Sequence, residues 1–124
     1  MDYQTATNLC ETYLNALVDD DVDTIVSLYA SDATVEDPVG SEVLVGEEAI
    51  RGFYTGAVGG IAAAQLSGPP RLAGNEIAFP FTLVAGEPGQ QIEMSIIDVF
   101  VVNDDGKVAS MRAFWGGENM RKLD

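Results

Sequence analysis

The amino-acid sequence predicts an α+β fold, in which helices come first and a curved antiparallel or mixed sheet follows. Three stretches in the first half repeat apolar residues at helical spacing, and the second half contains runs in which apolar residues alternate. Glycine, asparagine and aspartate separate these runs, as is typical of turns. A chain of 124 residues is expected to form one domain, covering residues 1–124.

The helical spacing predicts three helices. The first runs from about Thr5 to Val18. Asp21 or Asp23 can cap a second, short helix, because aspartate is a preferred residue at that position. The third helix runs from about Glu47 to Ala57, where a glycine-rich stretch ends it.

Alternating apolar residues predict the strands. A short strand over residues 33–37 stops at Pro38, and the turn at residues 103–106 joins the last two strands as a hairpin. Pro80 interrupts one alternating run, which indicates an edge strand or a bulge there. The strands after the third helix are expected near residues 61–67, 70–74, 76–85, 90–103 and 107–115.

Composition limits the classes of partner. The net charge of −14 argues against binding to nucleic acid or to anionic membrane surfaces. A hydrophobic content of 47% is high for so charged a chain, and it indicates a large apolar cavity, an oligomer interface or both. No apolar stretch is long enough to span a membrane, and no basic segment typical of a signal peptide precedes the first helix. The single Cys10 excludes an intrachain disulfide and fits a reducing cytoplasm.

The sequence contains no histidine. Catalysis by Ser-His-Asp or Cys-His groups and histidine-ligated metal sites are therefore excluded. Acid–base chemistry must come from Asp, Glu, Tyr, Lys or Cys, and the 20 acidic residues are the most numerous of these. A calcium loop starting at Asp19 lacks the glycine and glutamate that such loops need, because it has Thr24 and Ala30 there.

Asp98 lies in the apolar register of its predicted strand, in line with Ile96 and Phe100. An ionised carboxylate there would be costly, so the group is expected to be protonated and able to donate a hydrogen bond. The alternative is that Asp98 lies at a solvated edge or pairs with Arg112 on a neighbouring strand.

Asp37 and Tyr13 are the other two candidates. Asp37 shares the apolar face of its predicted strand with Ala33 and Val35, which would direct it into a pocket; the alternative is a loop acid that caps a turn at Pro38. Tyr13 lies on the inward face of the first helix, where a buried hydroxyl needs a hydrogen-bond partner. Most such tyrosines simply bond a backbone carbonyl in the core.

Four segments together resemble the bacterial Δ5-3-ketosteroid isomerases. The most specific is Ala33-Thr34-Val35-Glu36-Asp37-Pro38-Val39-Gly40-Ser41, and the others cover residues 13–17, 49–54 and 106–113. The resemblance implies the nuclear-transport-factor-2-like fold, in which three helices and a curved sheet form a cone around a deep apolar pocket. It also implies a homodimer that acts on a small-molecule steroid without a cofactor or metal.

The resemblance also implies roles for individual residues. Asp37 corresponds to the general base of the isomerases, and Tyr13 and Asp98 to the two donors that bind the oxyanion. Tyr29 and Tyr54 correspond to tyrosines that extend a hydrogen-bond network behind Tyr13. The two aromatic residues that line the pocket in the family fall on Phe53 and Trp115. The stretches at residues 56–60 and 61–74 match poorly.

Two other functions stay open from the sequence. One is another enzyme on the same scaffold, such as a polyketide cyclase or an epoxide hydrolase. The other is a protein that binds an apolar ligand without converting it, although such a protein would not need Asp98 together with Tyr13 and Asp37.

Overall fold

The protein is described here by a computed structural model that covers residues 1–123. Its three helices pack against an open, mixed sheet, as the sequence predicts. The helices are α1 (Tyr3–Val18), α2 (Val22–Leu28) and α3 (Glu47–Ala57). The strands are β1 (Tyr29–Glu36), β2 (Leu44–Val45), β3 (Ile61–Leu66), β4 (Arg71–Ala73), β5 (Glu76–Ala85), β6 (Ile92–Val102), β7 (Val108–Phe114) and β8 (Met120–Lys122), with a short 3₁₀ helix at Gly117–Asn119 before the last strand.

The sheet has the strand order β2-β1-β7-β6-β5-β3, while β4 pairs with β5 and β8 with β6. The pair β1–β7 is parallel, and every other pair among the described residues is antiparallel. α1 contacts β3 at one edge of the sheet, and α3 contacts β1 near the other. The helices thus cover one face of the sheet, which we call the inner face.

Local sequence explains where the first two helices begin. The side chain of Asp2 accepts a hydrogen bond from the backbone N–H of Thr5 at 2.8 Å, and α1 follows it. Asp21 caps α2 in the same way through the N–H of Thr24, at 3.1 Å. Asp23, the alternative cap, lies in the first turn of α2 instead and pairs with Arg51 of α3 at 2.7 Å.

Two predictions about strands need correction. β1 begins at Tyr29, four residues earlier than predicted, because the exposed Ser31 and Asp32 hide the start of its apolar alternation. Pro80 does not create a bulge, since β5 pairs with β6 in unbroken register through the Pro80–Ile97 pair. The carbonyl of Pro80 accepts from the N–H of Ser67 at 3.0 Å, at the break between β3 and β4. A proline fits there because no further strand N–H has to be matched on that side.

The core lies between the helices and the inner face. It is rich in aromatic residues: Phe79 and Phe100 are fully buried on neighbouring strands, with their ring centroids 4.9 Å apart. β6 follows the predicted alternation, with Ile96, Asp98 and Phe100 buried and Ile97 exposed. In the described part of the chain, no helix has the length and apolar character needed to cross a membrane.

Candidate active site

A cavity of about 270 Å³ opens between the helices and the inner face of the sheet. Its lining divides by exposure into two groups. The buried group, which we call the floor, consists of Tyr13, Leu17, Tyr54, Phe81, Ile96 and Asp98. The half-buried and exposed apolar residues, which we call the rim, are Phe53, Ala57, Ile61, Leu83, Ala85 and Met94. Asp37 and Trp115, both half-buried, complete the lining.

Asp98 is a buried carboxyl group in the floor. It is 2% exposed, and its Oδ1 has no hydrogen-bond partner among the described residues. Burial raises the pKa of Asp98 well above its usual range, and the negative charge of Asp37 raises it further. Both effects favour the protonated carboxyl group, which can donate a hydrogen bond.

The two alternative predictions for Asp98, a pair with Arg112 and a solvated edge, are wrong. Arg112 is paired in register with Val99, the neighbour of Asp98, so its side chain is directed to the opposite face of the sheet. There its Nε lies 3.4 Å from Oε1 of Glu36. Position 98 is also not a solvated edge, because β6 lies between β5 and β7 in the sheet.

Asp37 follows the last residue of β1 and lies half-buried in the cavity wall. The indole Nε1–H of Trp115 donates to its Oδ1 at 2.8 Å. Burial raises the pKa of Asp37, and this hydrogen bond opposes the rise because it stabilises the carboxylate. The turn after Pro38 is held by Glu36, whose Oε2 accepts from the N–H of Gly40 at 3.0 Å.

Three tyrosines from three elements form a chain of hydrogen bonds. The Tyr54 hydroxyl lies 2.8 Å from that of Tyr13 and 2.6 Å from that of Tyr29. Burial raises the pKa of all three hydroxyls well above the usual range, so they are neutral.

The direction of donation along this chain follows from the available partners. Within residues 1–123, Tyr54 is the only hydrogen-bond partner of the Tyr29 hydroxyl. Tyr29 therefore donates to Tyr54, and Tyr54 donates to Tyr13. The proton of Tyr13 is left to be donated into the cavity, which Tyr13 lines together with Asp98.

Packing fixes the Tyr13 ring. It makes edge-to-face contacts with the rings of Phe100, Tyr54 and Phe79, at centroid distances of 5.2, 6.1 and 6.3 Å. Such contacts on several sides hold the hydroxyl in one position, which is what a preorganised donor requires.

The structure brings all the residues singled out from the sequence into this one region. Phe53 and Trp115 line the cavity, and Tyr29 lies behind Tyr54 in the hydrogen-bond chain. Sequence reasoning missed the bond between Trp115 and Asp37, which are 78 residues apart. It also missed that Leu83 and Ala85 of β5 and Met94 of β6 line the cavity, although each continues the apolar alternation of its own strand.

The chemical character of the cavity is simple. Its ionisable acids are Asp37 and Asp98, and no cationic side chain lies among its described lining residues. The arrangement offers one carboxylate base and two neutral donors, surrounded by hydrocarbon.

Comparison with known proteins agrees with this geometry. The chain is 38% identical over 108 residues to a Steroid Delta-isomerase from Nocardioides simplex, with 87% of each chain covered. It is 32% identical over 98 residues to Epoxide hydrolase LasB from Streptomyces lasalocidi, but it spans only 34% of the length of that protein. It shares the fold of the epoxide hydrolase/cyclase-like enzyme SalBIII, which has a role in pyran ring formation in the polyether salinomycin, with a TM-score of 0.89, 27% identity and 98% of both chains covered.

Residues 10–111, most of the chain, match the SnoaL-like domain family. The order of three helices and a mixed sheet, the cavity, and the similarity to enzymes of this fold all agree with that match. The chain therefore belongs to the family of SnoaL-like domains, within the nuclear-transport-factor-2-like fold.

Proposed function

We propose that this protein is a steroid Δ-isomerase that converts 3-oxo-Δ5-steroids into 3-oxo-Δ4-steroids. The observation that carries the proposal is the presence, in one apolar cavity, of a half-buried carboxylate and two neutral buried donors: Asp37, Tyr13 and Asp98. The 38% identity to a protein named Steroid Delta-isomerase supports it.

In the proposed reaction, the carboxylate of Asp37 removes a proton from C4 of the substrate. The electron pair moves toward the C3 ketone, so that the C3 oxygen gains negative charge and a dienolate forms. Asp37 then returns the proton to C6, which leaves the double bond in conjugation with the ketone. One base suffices because both carbons are reached from the same face of the steroid.

The donors act on the charge that develops at the C3 oxygen. Tyr13 and protonated Asp98 would each donate to it, and removal of one such donor typically costs about 10²–10³ in rate. Because the residues of the floor are buried, these bonds form in a medium of low dielectric constant, where they are stronger than in water. The chain from Tyr29 through Tyr54 strengthens donation by Tyr13, since each hydroxyl that accepts a bond becomes a better donor.

A second candidate function is the opening of an epoxide. The specific observation in its favour is a pair of carboxyl groups in one cavity whose environments raise the pKa of Asp98 more strongly than that of Asp37, together with the similarity to two epoxide hydrolase-type proteins. Asp98 would give its proton to the epoxide oxygen as the C–O bond breaks. Asp37 would take the proton of the attacking hydroxyl or water, so that the pair finishes with the proton exchanged between them.

The test is ultraviolet detection of the conjugated enone formed from a 3-oxo-Δ5-steroid. Wild type is expected to convert it rapidly, and Asp37→Asn to lose nearly all activity. Asp98→Asn retains a donor and is expected to keep part of the rate. Asp32→Asn changes an exposed aspartate on the same strand as a matched control and should behave as wild type.

Folded wild type that leaves the steroid unchanged would contradict the isomerase proposal. Turnover of an aliphatic hydroxy-epoxide by the same preparation, dependent on Asp37 and Asp98, would then favour the second candidate.

The proposal includes a homodimer formed through the outer face of the sheet. Ile97 and Phe114 are paired in register there, and their side chains are 47% and 41% exposed. Two large apolar side chains side by side on an uncovered sheet are typical of a protein interface.

A cytoplasmic location belongs to the same proposal, because the lone Cys10 is a buried, free thiol.

A further inference from the structure

Outside the floor, six of the eight described lining residues are apolar and form the rim, and the other two, Asp37 and Trp115, are hydrogen-bonded to each other. Phe53, Ala57 and Ile61 form one part of the rim, between α3 and β3, and Leu83, Ala85 and Met94 form the other, on β5 and β6. All the hydrogen-bonding side chains of the cavity are Tyr13, Asp37, Tyr54, Asp98 and Trp115. Trp115 bonds to Asp37, and Tyr54 bonds to Tyr13. The proposed reaction uses Tyr13, Asp37 and Asp98 at the ketone end of the substrate.

This division fixes how a substrate would lie, if the proposed function holds. The C3 oxygen is at the buried floor, beside Tyr13 and Asp98, so the far end of the elongated steroid nucleus reaches the rim. The rim is only partly buried, because Ala57 is exposed and the other five residues of the rim are half-buried. The substituent at C17 is therefore in contact with hydrocarbon on the protein side.

We propose that the rim selects steroids whose C17 substituent is apolar and uncharged, with Met94 and Leu83 as specificity-determining residues. An ethyl group at C17 gains favourable contact with the rim. An acetyl group of similar size loses hydration of its oxygen and finds no donor there, and a carboxylate loses still more. The absence of a cationic side chain from the described lining means that nothing offsets that loss.

Charge on the whole molecule acts in the same direction. The net charge is −14, and three of the six cationic side chains are already paired with acids: Arg51, Arg112 and Arg121. An anionic steroid is therefore repelled on approach as well as at the rim.

The experiment compares three 3-oxo-Δ5-steroids that carry an ethyl, an acetyl or a carboxylate group at C17. The reacting rings are identical, so the same enone absorbance reports all three. We expect kcat/KM to fall about 10-fold from ethyl to acetyl and at least about 100-fold from ethyl to carboxylate, as differences confined to one pocket contact commonly do. Most of the change should appear in KM, because the substituent is far from the reacting carbons.

The rim variant is Met94→Lys. Met94 is half-buried, so the long lysine side chain can bring its ammonium group to the rim and the solvent. Met94→Lys should raise kcat/KM for the carboxylate substrate at least about 10-fold and lower kcat/KM for the ethyl substrate. The matched control is Gln65→Lys on an exposed position of β3, which makes the same change in net charge away from the rim.

The outcomes separate the two proposals. If none of the three steroids is isomerised, the proposed function fails. If all three are isomerised with kcat/KM values within about threefold of each other, the function stands and the selectivity of the rim is contradicted. Equal improvement of the carboxylate substrate by Met94→Lys and Gln65→Lys would also contradict it, since the effect would then come from net charge alone.

Discussion

Asp37 and Asp98 are the same residue type in the same cavity, and their environments separate their chemistry. Asp37 is half-buried and receives a hydrogen bond from an indole N–H, which favours its carboxylate form. Asp98 is fully buried with an unpartnered oxygen in the described structure, and it also feels the charge of Asp37, which favours its neutral form. Ionisation of one acid thus helps to keep the proton on the other.

The raised pKa of Asp98 predicts a pH dependence of stability. The folded chain holds the Asp98 proton to higher pH than the unfolded chain does, so the free energy of unfolding falls as pH rises between the two pKa values. Asp98→Asn removes this effect. The stability advantage of the variant should be small near about pH 4 and grow by about 1.4 kcal/mol per pH unit above it, until the folded pKa is passed.

Urea unfolding at several pH values measures this difference. Asp32→Asn, at an exposed site on β1, provides the control and should differ from wild type by a constant amount. An Asp98→Asn advantage that does not change with pH would show that position 98 is not protonated in the folded wild type.

Trp115 is expected to act on Asp37 as a positioning residue. Trp115→Phe keeps an aromatic ring but removes the donor, so burial acts unopposed and the pKa of Asp37 rises further. In the isomerase assay, kcat/KM on the acidic side of the pH profile should fall about tenfold, since a hydrogen bond to a charged group contributes about 1.5 kcal/mol or more. The profile should move to higher pH.

The alkaline plateau of the same profile is the internal control for Trp115→Phe. There Asp37 is ionised in both proteins, so the rates should agree within about threefold. A uniform loss at every pH would mean that Trp115 contributes only to substrate contact.

At the scale of elements, β6, which carries Asp98, is paired with neighbouring strands on both sides. It pairs with β5 along its whole length, from Ala85–Ile92 to Glu76–Val101, and with β7 on its other side. α1, α3 and β1 each contribute one tyrosine to the hydrogen-bond chain beside it. The hydroxyls therefore join three elements that are distant in sequence.

The middle member of this chain is expected to matter most for stability. Tyr54→Phe removes two hydrogen bonds and leaves the hydroxyls of Tyr13 and Tyr29 unpaired, which should cost about 1–3 kcal/mol. Tyr29→Phe removes one bond at the end of the chain and should cost less. Equilibrium urea unfolding compares them, with the exposed Tyr3→Phe on α1 as the control, expected within about 0.5 kcal/mol of wild type. Equal losses for Tyr29→Phe and Tyr54→Phe would contradict the proposed chain.

The sequence predicts elements well where periodicity and boundaries agree. The apolar spacing and the flanking glycines predict α3 over residues 47–57, and the structure has the helix there. β1 was predicted late because Ser31 and Asp32 are exposed on an otherwise buried strand. Asp98 could be predicted to be buried from the alternation of its own strand alone.

What the sequence could not predict depends on contacts between distant segments. The bond from Trp115 to Asp37 requires β7 to lie beside β1, and no local pattern specifies that parallel pairing. The placement of Tyr13 and Asp98 in one cavity likewise depends on how α1 packs against the sheet.

At the scale of the whole molecule, the two faces of the sheet differ in how they are covered. The inner face is closed by helices, while the outer face presents Ile97 and Phe114 to solvent, with the guanidinium of Arg112 5.3 Å from the centre of the Phe114 ring. A chain with a net charge of −14 resists non-specific association, so an apolar site of this kind favours a specific partner.

The proposed homodimer predicts that Ile97→Lys yields a monomer. A charged side chain would have to be buried in the contact without a partner, which commonly costs several kcal/mol. Sedimentation velocity should show a dimer for wild type and a monomer for the variant. Val45→Lys, at an exposed apolar position on β2, changes charge equally and should remain a dimer. A wild type that sediments as a monomer at all concentrations would contradict the proposal.

The order of strands in the sheet sets the spacing of the two acids. On one side of β7, Asp98 is paired in register with Ala113. On the other side, the N–H of Val39, two residues after Asp37, donates to the carbonyl of Ala113 at 2.8 Å. The acids thus belong to segments on either side of one strand, about 10 Å apart across the sheet, and Ala113 between them is small. Because the backbone pairing of β6 and β7 sets this spacing, substitutions elsewhere in the cavity lining can change which molecule fits while the distance between the two carboxyl groups stays the same.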